Sequence, residues 1–296
     1  MYYTRLVGYD KINLMIINKN ANLKDFTTIK IGGVGSYMFF PENEKEFLDI
    51  YKKYKNDKLY ILGKGSNTIF GDFNGVLINT KYFYDVKIQE TKEGILVKAS
   101  AGVPLKDLIK LSIENNVEEF YKLIGFPASI GGAIAMNAGA YGVEIFDFIK
   151  GVWFIDEEEI IYKPKEEIFY TYRKTEFENK PVLYGEFLFR KSHQDIKPLA
   201  QTINQKRIEA QPLNMPTSGS TFKNPKGNFA GKLLEAVGLK GYRIKDIGFS
   251  QKHANFLINY QNASFQNAID ILSIAKERVY KAFNIILEEE IKLICA

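Results

Sequence analysis

Gly125-Phe126-Pro127-Ala128-Ser129-Ile130-Gly131-Gly132-Ala133-Ile134-Ala135-Met136-Asn137-Ala138-Gly139-Ala140-Tyr141-Gly142 is almost entirely small residues and carries no charge. Its polar side chains are Ser129, Asn137 and Tyr141. Small side chains let a backbone approach a ligand closely, and glycine permits the φ > 0 turns that aim N–H groups at it. A flat, partly anionic cofactor such as a flavin nucleotide suits that surface. A packed, glycine-rich core turn is the ligand-free alternative. A membrane span is excluded. Residues 123–143 are uncharged, but they hold Gly125, Pro127, Gly131, Gly132, Gly139 and Gly142 and few large aliphatic side chains.

A second glycine loop points the same way. Leu59-Tyr60-Ile61-Leu62 reads as a short strand and runs into Gly63-Lys64-Gly65-Ser66-Asn67. Successive N–H groups there, with the Ser66 hydroxyl and the Asn67 amide, suit a pyrophosphate nest. The loop is not the dinucleotide fingerprint G-x-G-x-x-G. Thr68 replaces its third glycine, and the sequence that follows is turn-rich and then strand-like at 75–79. The expected phosphate site is therefore a loop between strands.

A chain of 296 residues suggests two or three domains. The net charge of +5 is spread rather than clustered. It suits an anionic small molecule, and no basic stripe marks a nucleic-acid partner. One cysteine, Cys295, and two histidines, His193 and His253, leave no disulfide framework and no Cys- or His-rich metal site. A reducing cytoplasmic setting is expected. The N-terminus shows no secretory pattern. Met15 reads as an alternative start, which would make residues 1–14 a loose extension.

Three blocks are expected, at 1–80, 81–191 and 192–296. In the first, 29–40 is strand-like and 44–55 helical, with Phe47, Leu48, Ile50, Tyr51 and Tyr54 on one face. In the second, 95–101, 150–156, 160–163 and 182–190 read as strands. Residues 104–115 read as a helix with Pro104 in its first turn. The third block holds helices at 195–209, 228–237 and 264–284, then a strand at 285–294. In the longest helix Ile269, Ile271, Leu272, Ile274, Ala275, Val279, Tyr280 and Phe283 recur at mostly helical spacing.

Three more stretches could carry chemistry. Tyr172-Arg173 lies in a polar stretch between strands; an arginine can clamp a carboxylate, though a surface salt bridge is the plainer reading. Thr217-Ser218-Gly219-Ser220-Thr221-Phe222-Lys223-Asn224-Pro225 is a dense polar turn without the nucleophile-elbow pattern. A serine there could give a proton to a carbanion, or simply cap the turn. Glu288-Glu289-Glu290 reads as a solvated charge run, but strand alternation would set Glu288 and Glu290 on one face and Glu289 on the other.

In order, over about residues 27–294, these stretches resemble the UDP-N-acetylenolpyruvoylglucosamine reductase family. The matching pieces are Thr27-Thr28-Ile29-Lys30-Ile31-Gly32-Gly33, Leu62 to Asn67, residues 125–142, Tyr172-Arg173, Gly219-Ser220 through Pro225, Ala230-Gly231-Lys232-Leu233-Leu234-Glu235 and His253-Ala254-Asn255-Phe256. The resemblance implies an α+β fold: a two-part FAD-binding unit of the vanillyl-alcohol-oxidase (PCMH) type, then a C-terminal substrate domain. It implies non-covalent FAD, NADPH as electron donor and UDP-N-acetylglucosamine enolpyruvate as substrate, in cytoplasmic peptidoglycan precursor synthesis. Hydride would pass from flavin N5 to C3 of the enolpyruvyl group. Arg173 and Glu290 match the positions that stabilise the resulting enolate, and Ser220 matches the acid that protonates C2. Flavin contacts carry over to Gly63, Lys64, Gly65, Ser66, Asn67, Ser129, Ile130, Gly131, Asn137, Gly139, Ala140 and Arg207. Substrate contacts carry over to Tyr172, Lys223 and Asn224. A monomer is expected, with no metal, nucleic acid or membrane.

The chain resembles the shorter subgroup, which lacks a tyrosine-containing substrate loop. It also has Ala210 where the family often has lysine, so Lys206, Lys223 or Lys226 is expected to supply that charge. A different FAD oxidoreductase of the same fold is the runner-up. Such enzymes often anchor flavin through His or Cys, and neither type occurs within residues 1–192. A non-catalytic nucleotide-sugar binder is the second alternative.

Overall fold

The computed structural model describes residues 16–295, so the expected extension at 1–14 lies outside the described residues. The chain divides into two compact units, each assembled from several segments. The first takes the described residues through Lys19, then Tyr37–Lys64 and Gly75–Gln205. The second takes Asn20–Ser36, Gly65–Asn74 and 206–295.

In the first unit, helix α1 (Glu44–Tyr54) starts where the Asn43 side chain accepts the Glu46 N–H at 3.0 Å and donates to the Glu46 carboxylate at 2.9 Å. These reciprocal bonds satisfy donors that a helix end leaves open. Phe47 and Ile50 of α1 pack with Phe39, Ile78 and Phe83. Strands Leu59–Leu62 and Phe73–Asn79 pair in parallel there. A five-stranded antiparallel sheet runs in the order Glu159–Pro164, Ile149–Asp156, Val182–Phe189, Gly94–Ser100, Val86–Thr91. Helices α2 (Leu105–Glu114) and α3 (Ile130–Ala135) add Leu105, Leu108, Ile130 and Ile134 to a core with Val97, Val152 and Phe187. Pro104 precedes α2, where its missing N–H loses no helical bond. Helix α4 spans Lys197–Ala210.

In the second unit the sheet order is Thr217–Ser220, Phe256–Asn259, Ile247–Phe249, Arg243–Ile244, all antiparallel. Helices α5 (Ala230–Ala236) and α6 (Phe265–Phe283) enclose a core of Leu234, Phe249, Leu257, Ile271 and Leu272. Ile29, Ile31 and Ile69 complete that core from far earlier in the chain. Strand Lys292–Ile294 pairs in parallel with Thr68–Phe70. Among the described residues no helix is long and apolar enough to cross a membrane.

Two strand expectations need correction. The strand expected at 29–40 forms only over Val34–Phe40, because Lys30 has φ +60°, which breaks extended geometry. The strand expected at 285–294 forms only over Lys292–Ile294. Asn284 turns left-handed at the end of α6, and residues 288–290 then meet 221–223 at isolated points. Glu288, Glu289 and Glu290 thus lie outside the strand, with an isolated bridge between Phe222 and Glu289.

Candidate functional site

In the first unit the small-residue segment is a short helix followed by a hairpin. Ser129 Oγ caps α3 by accepting the Gly132 N–H at 3.4 Å. The Ile130 and Gly131 N–H groups donate to Val103 O and Ala101 O, both at 2.9 Å. These two donors are thus used inside the unit rather than aimed at a ligand. Gly139–Ala140 and Val143–Glu144 pair through the turn Tyr141-Gly142. Both turn residues have positive φ, as a two-residue type I′ hairpin turn requires.

Asn137 is fully buried between α3 and this hairpin. Its Nδ2 donates to Glu144 Oε2 at 2.7 Å and to Thr171 O at 3.1 Å, and its Oδ1 accepts from the Phe146 N–H at 3.4 Å. The amide is satisfied inside the unit, and the Asn137 N–H donates to Ile134 O at 3.1 Å, so Asn137 braces this segment from within.

Tyr172-Arg173 forms the turn between Tyr170–Thr171 and Lys174–Thr175, with Arg173 left-handed at φ +56°. The Arg173 side chain is only 12% exposed, so it is not a surface salt bridge. Its Nη1 donates to Asn137 O at 3.1 Å and lies 3.3 Å from Glu144 Oε1, and its Nη2 donates to Gly139 O. Its guanidinium carbon lies 4.7 Å from the Tyr172 ring centroid, within cation–π range. Tyr172, Arg173, Asn137 and Gly139 are brought together.

The Gly63 loop meets the start of α3. A Cβ on Gly63 would lie 2.2 Å from Ser129 Oγ, so a side chain there would displace the hydroxyl that caps α3. Desolvation, then the neighbouring charge of Lys106, push the Lys64 ammonium below the ordinary lysine value, against a smaller pull from Asp107. An anion at the loop would relieve that crowding of like charge.

In the second unit, Gly65 has φ +62° and its carbonyl accepts from the Thr28 N–H at 3.1 Å. Ser66 is half-buried. Asn67 Nδ2 donates to Glu290 O at 2.9 Å, and Asn67 O accepts from the Lys292 N–H at 2.8 Å. The Glu290 N–H donates to Thr221 O at 2.9 Å. The Glu290 peptide is thus gripped from both sides. Thr221 N–H donates to Asn255 O at 2.7 Å, and the Asn255 side chain exchanges two bonds with the Phe222 backbone, at 3.0 and 2.8 Å. Ser220 lies just before this bracket, after Gly219, whose φ is +79° and whose α-carbon faces open space.

Asn224 Oδ1 accepts from the Ala230 N–H at 3.0 Å, which fixes the start of α5. Lys223 pairs with Glu288, and Glu289 pairs with Lys276 at 2.6 Å. Lys206 and Lys226 are exposed, Ala140 is half-buried, and Arg207 is buried in α4. Glu144 and the anchoring role of Asn255 were not read from the sequence. The available signal for Glu144 was a lone carboxylate two residues past the glycine-rich stretch.

Comparison with known proteins places these features in context. Residues 211–294 match the family described as the UDP-N-acetylenolpyruvoylglucosamine reductase C-terminal domain, and residues 36–163 match an FAD binding domain. The chain is 51% identical over 285 residues to the UDP-N-acetylenolpyruvoylglucosamine reductase of Aquifex aeolicus, covering 95% of this chain and 96% of the relative. It is 36% identical over 297 residues to that of Caldicellulosiruptor saccharolyticus, covering 97% and 94%. The fold is similar to the crystal structure of UDP-N-acetylenolpyruvylglucosamine reductase from Thermus caldophilus, with TM-score 0.79 and 26% identity, covering 94% of this chain and 99% of that one.

Proposed function

The chain belongs to the UDP-N-acetylenolpyruvoylglucosamine reductase family, and on that premise we propose that it reduces UDP-N-acetylglucosamine enolpyruvate to UDP-N-acetylmuramate for peptidoglycan synthesis. It is an FAD-dependent oxidoreductase with NADPH as reductant. The observation that carries the reading is Arg173. Its guanidinium is nearly buried and fixed against the backbone of the glycine-rich segment, where a structural surface arginine would not be held.

The residues present suit the cofactor. Gly63 lies against the Ser129 hydroxyl, which keeps the loop close to the start of α3, and the Lys64 and Lys106 charges favour an anion. Residues 1–80 and 81–191 would hold it, through Gly63, Lys64, Gly65, Ser66 and Asn67 and the backbone of residues 129–140, with Arg207 from α4. The attachment is non-covalent, as the family resemblance implies, and residues 1–192 offer neither His nor Cys for a link. Bound FAD supplies the hydride that NADPH provides.

This chain's residues do the rest. Arg173 and Glu290 stabilise negative charge as it grows on the substrate; preorganised donors in a water-poor site act most strongly there. Ser220 Oγ gives its proton to C2. An enolate carbon is a strong base, so a hydroxyl suffices as acid. Residues 192–296 hold the UDP-sugar, with Asn224 and one of Lys206, Lys223 and Lys226 at the diphosphate; Tyr172 is a further substrate contact that the family resemblance implies. The soluble nucleotide substrates suit a cytoplasmic enzyme, and its expected state is a monomer.

Ser220→Ala tests this reading. NADPH oxidation does not need the Ser220 proton, so flavin reduction should keep its rate in stopped-flow absorbance. Reoxidation by the enolpyruvyl substrate should slow by about 10²–10⁴-fold, the usual contribution of general acid catalysis. Equal slowing of both halves would assign Ser220 a structural role. Normal reoxidation would remove it from the mechanism.

A further inference from the structure

Glu144 has no part in the chemistry above, yet it touches two of its key residues. It ends the short strand Val143–Glu144 and lies opposite Gly139 in the hairpin register. Its own N–H donates to Asp147 Oδ2 at 2.7 Å, which pins its backbone. Its two carboxylate oxygens then divide their work. Oε2 accepts from Asn137 Nδ2 at 2.7 Å, and Oε1 faces Arg173 Nη1 at 3.3 Å.

The guanidinium therefore bonds to the carbonyls of Asn137 and Gly139 and to the Glu144 carboxylate. The backbone on both sides of this contact is left-handed. Asn137 is left-handed at φ +47°, and Arg173 itself is left-handed at φ +56°. Such conformations carry a cost for non-glycine residues and persist only where surrounding contacts over-determine them. The Glu144 side chain bonds to both of these residues. It ties the amide of one to the guanidinium of the other.

A carboxylate beside a charge-stabilising arginine also has an electrostatic cost, since it offsets part of the positive field. That cost makes sense if geometry is what the pair secures. We propose that Glu144 is a positioning residue for the reduction, holding the Arg173 guanidinium in the orientation that the enolate requires. The proposal rests on the assignment of Arg173 to catalysis.

Two variants and a cycle test it by stopped-flow absorbance of the flavin. Glu144→Ala removes both acceptors. It should keep its FAD and its rate of reduction by NADPH, and slow reoxidation by the substrate by about 10–100-fold, as expected of a misplaced catalytic group. Glu144→Gln keeps an acceptor and should recover most of that loss. If Glu144 acts through Arg173, adding Glu144→Ala to Arg173→Ala should cost nothing further. Wild-type reoxidation in Glu144→Ala, or losses that multiply in the double variant, would overturn the proposal while leaving Arg173 catalytic. Equal slowing of both half-reactions, or lost FAD, would make Glu144 merely structural and overturn it as well. Normal reoxidation in Arg173→Ala itself would instead refute the underlying assignment.

Discussion

Lys64 shows how one residue of the glycine loop can be tested apart from the fold. It is exposed, its ammonium is pushed down by desolvation and by Lys106, and it lies in the loop assigned to the cofactor phosphates. Lys64→Ala should leave the melting temperature nearly unchanged and weaken FAD binding by about tenfold or more, the scale of a charge-assisted bond. Flavin fluorescence titration at several salt concentrations should also show a shallower salt dependence. Unchanged affinity would remove Lys64 from the phosphate site. Gly65 offers no such clean test. Its φ is +62°, and a Cβ would lie 2.0 Å from Phe26 O, so a side chain there disrupts the loop whatever it binds. The glycine positions were legible in the sequence because backbone freedom is a property of residue type. The fate of individual donors was not. Nothing in the string Ser129-Ile130-Gly131 says that two of its N–H groups are taken by residues 101 and 103.

Among the elements, α6 is the clearest to read and to perturb. Ser264 Oγ accepts the Asn267 N–H, and Asn267 Oδ1 accepts the Ser264 N–H, both at 3.2 Å. Ser264→Ala should cost about 1 kcal/mol, as loss of an N-cap usually does. That is a fall of roughly 2–4 °C in the thermal midpoint, readable by calorimetry. An unchanged midpoint would mean that tertiary packing alone sets the start of α6. Ile271, Leu272, Ala275 and Val279 are buried, as their spacing predicts, whereas Tyr280 and Phe283 are exposed because the apolar stripe narrows in the last turn. Long amphipathic helices carry their period in the sequence, so the expected range of 264–284 falls within a residue of α6 at each end. The C-terminal strand carries no such signal. Its length depends on a parallel partner at Thr68–Phe70, and pairing over that separation leaves no local mark.

The whole molecule differs most from a linear reading. The second unit draws on three separate stretches, and its C-terminal stretch is incomplete alone. Residues 206–296 by themselves lack Ile29, Ile31 and Ile69 from the core. They also lack the strand beside Lys292–Ile294 and the carbonyls of Ile29 and Lys30 that accept from Asn259 Nδ2, both at 3.1 Å. Expressed alone, this fragment should give a poorly dispersed amide NMR spectrum; sharp, dispersed resonances would show that it folds unaided. The hydrogen bond from Asn67 to the Glu290 carbonyl also sets a timetable. Its ends are 223 residues apart. At synthesis rates of about 5–20 residues per second, Asn67 is added to the chain roughly 11–45 s before its acceptor exists. Throughout that interval the glycine loop has been made but cannot be locked. The first unit can settle while translation continues, whereas the bracket around Glu290 closes only when translation has nearly finished.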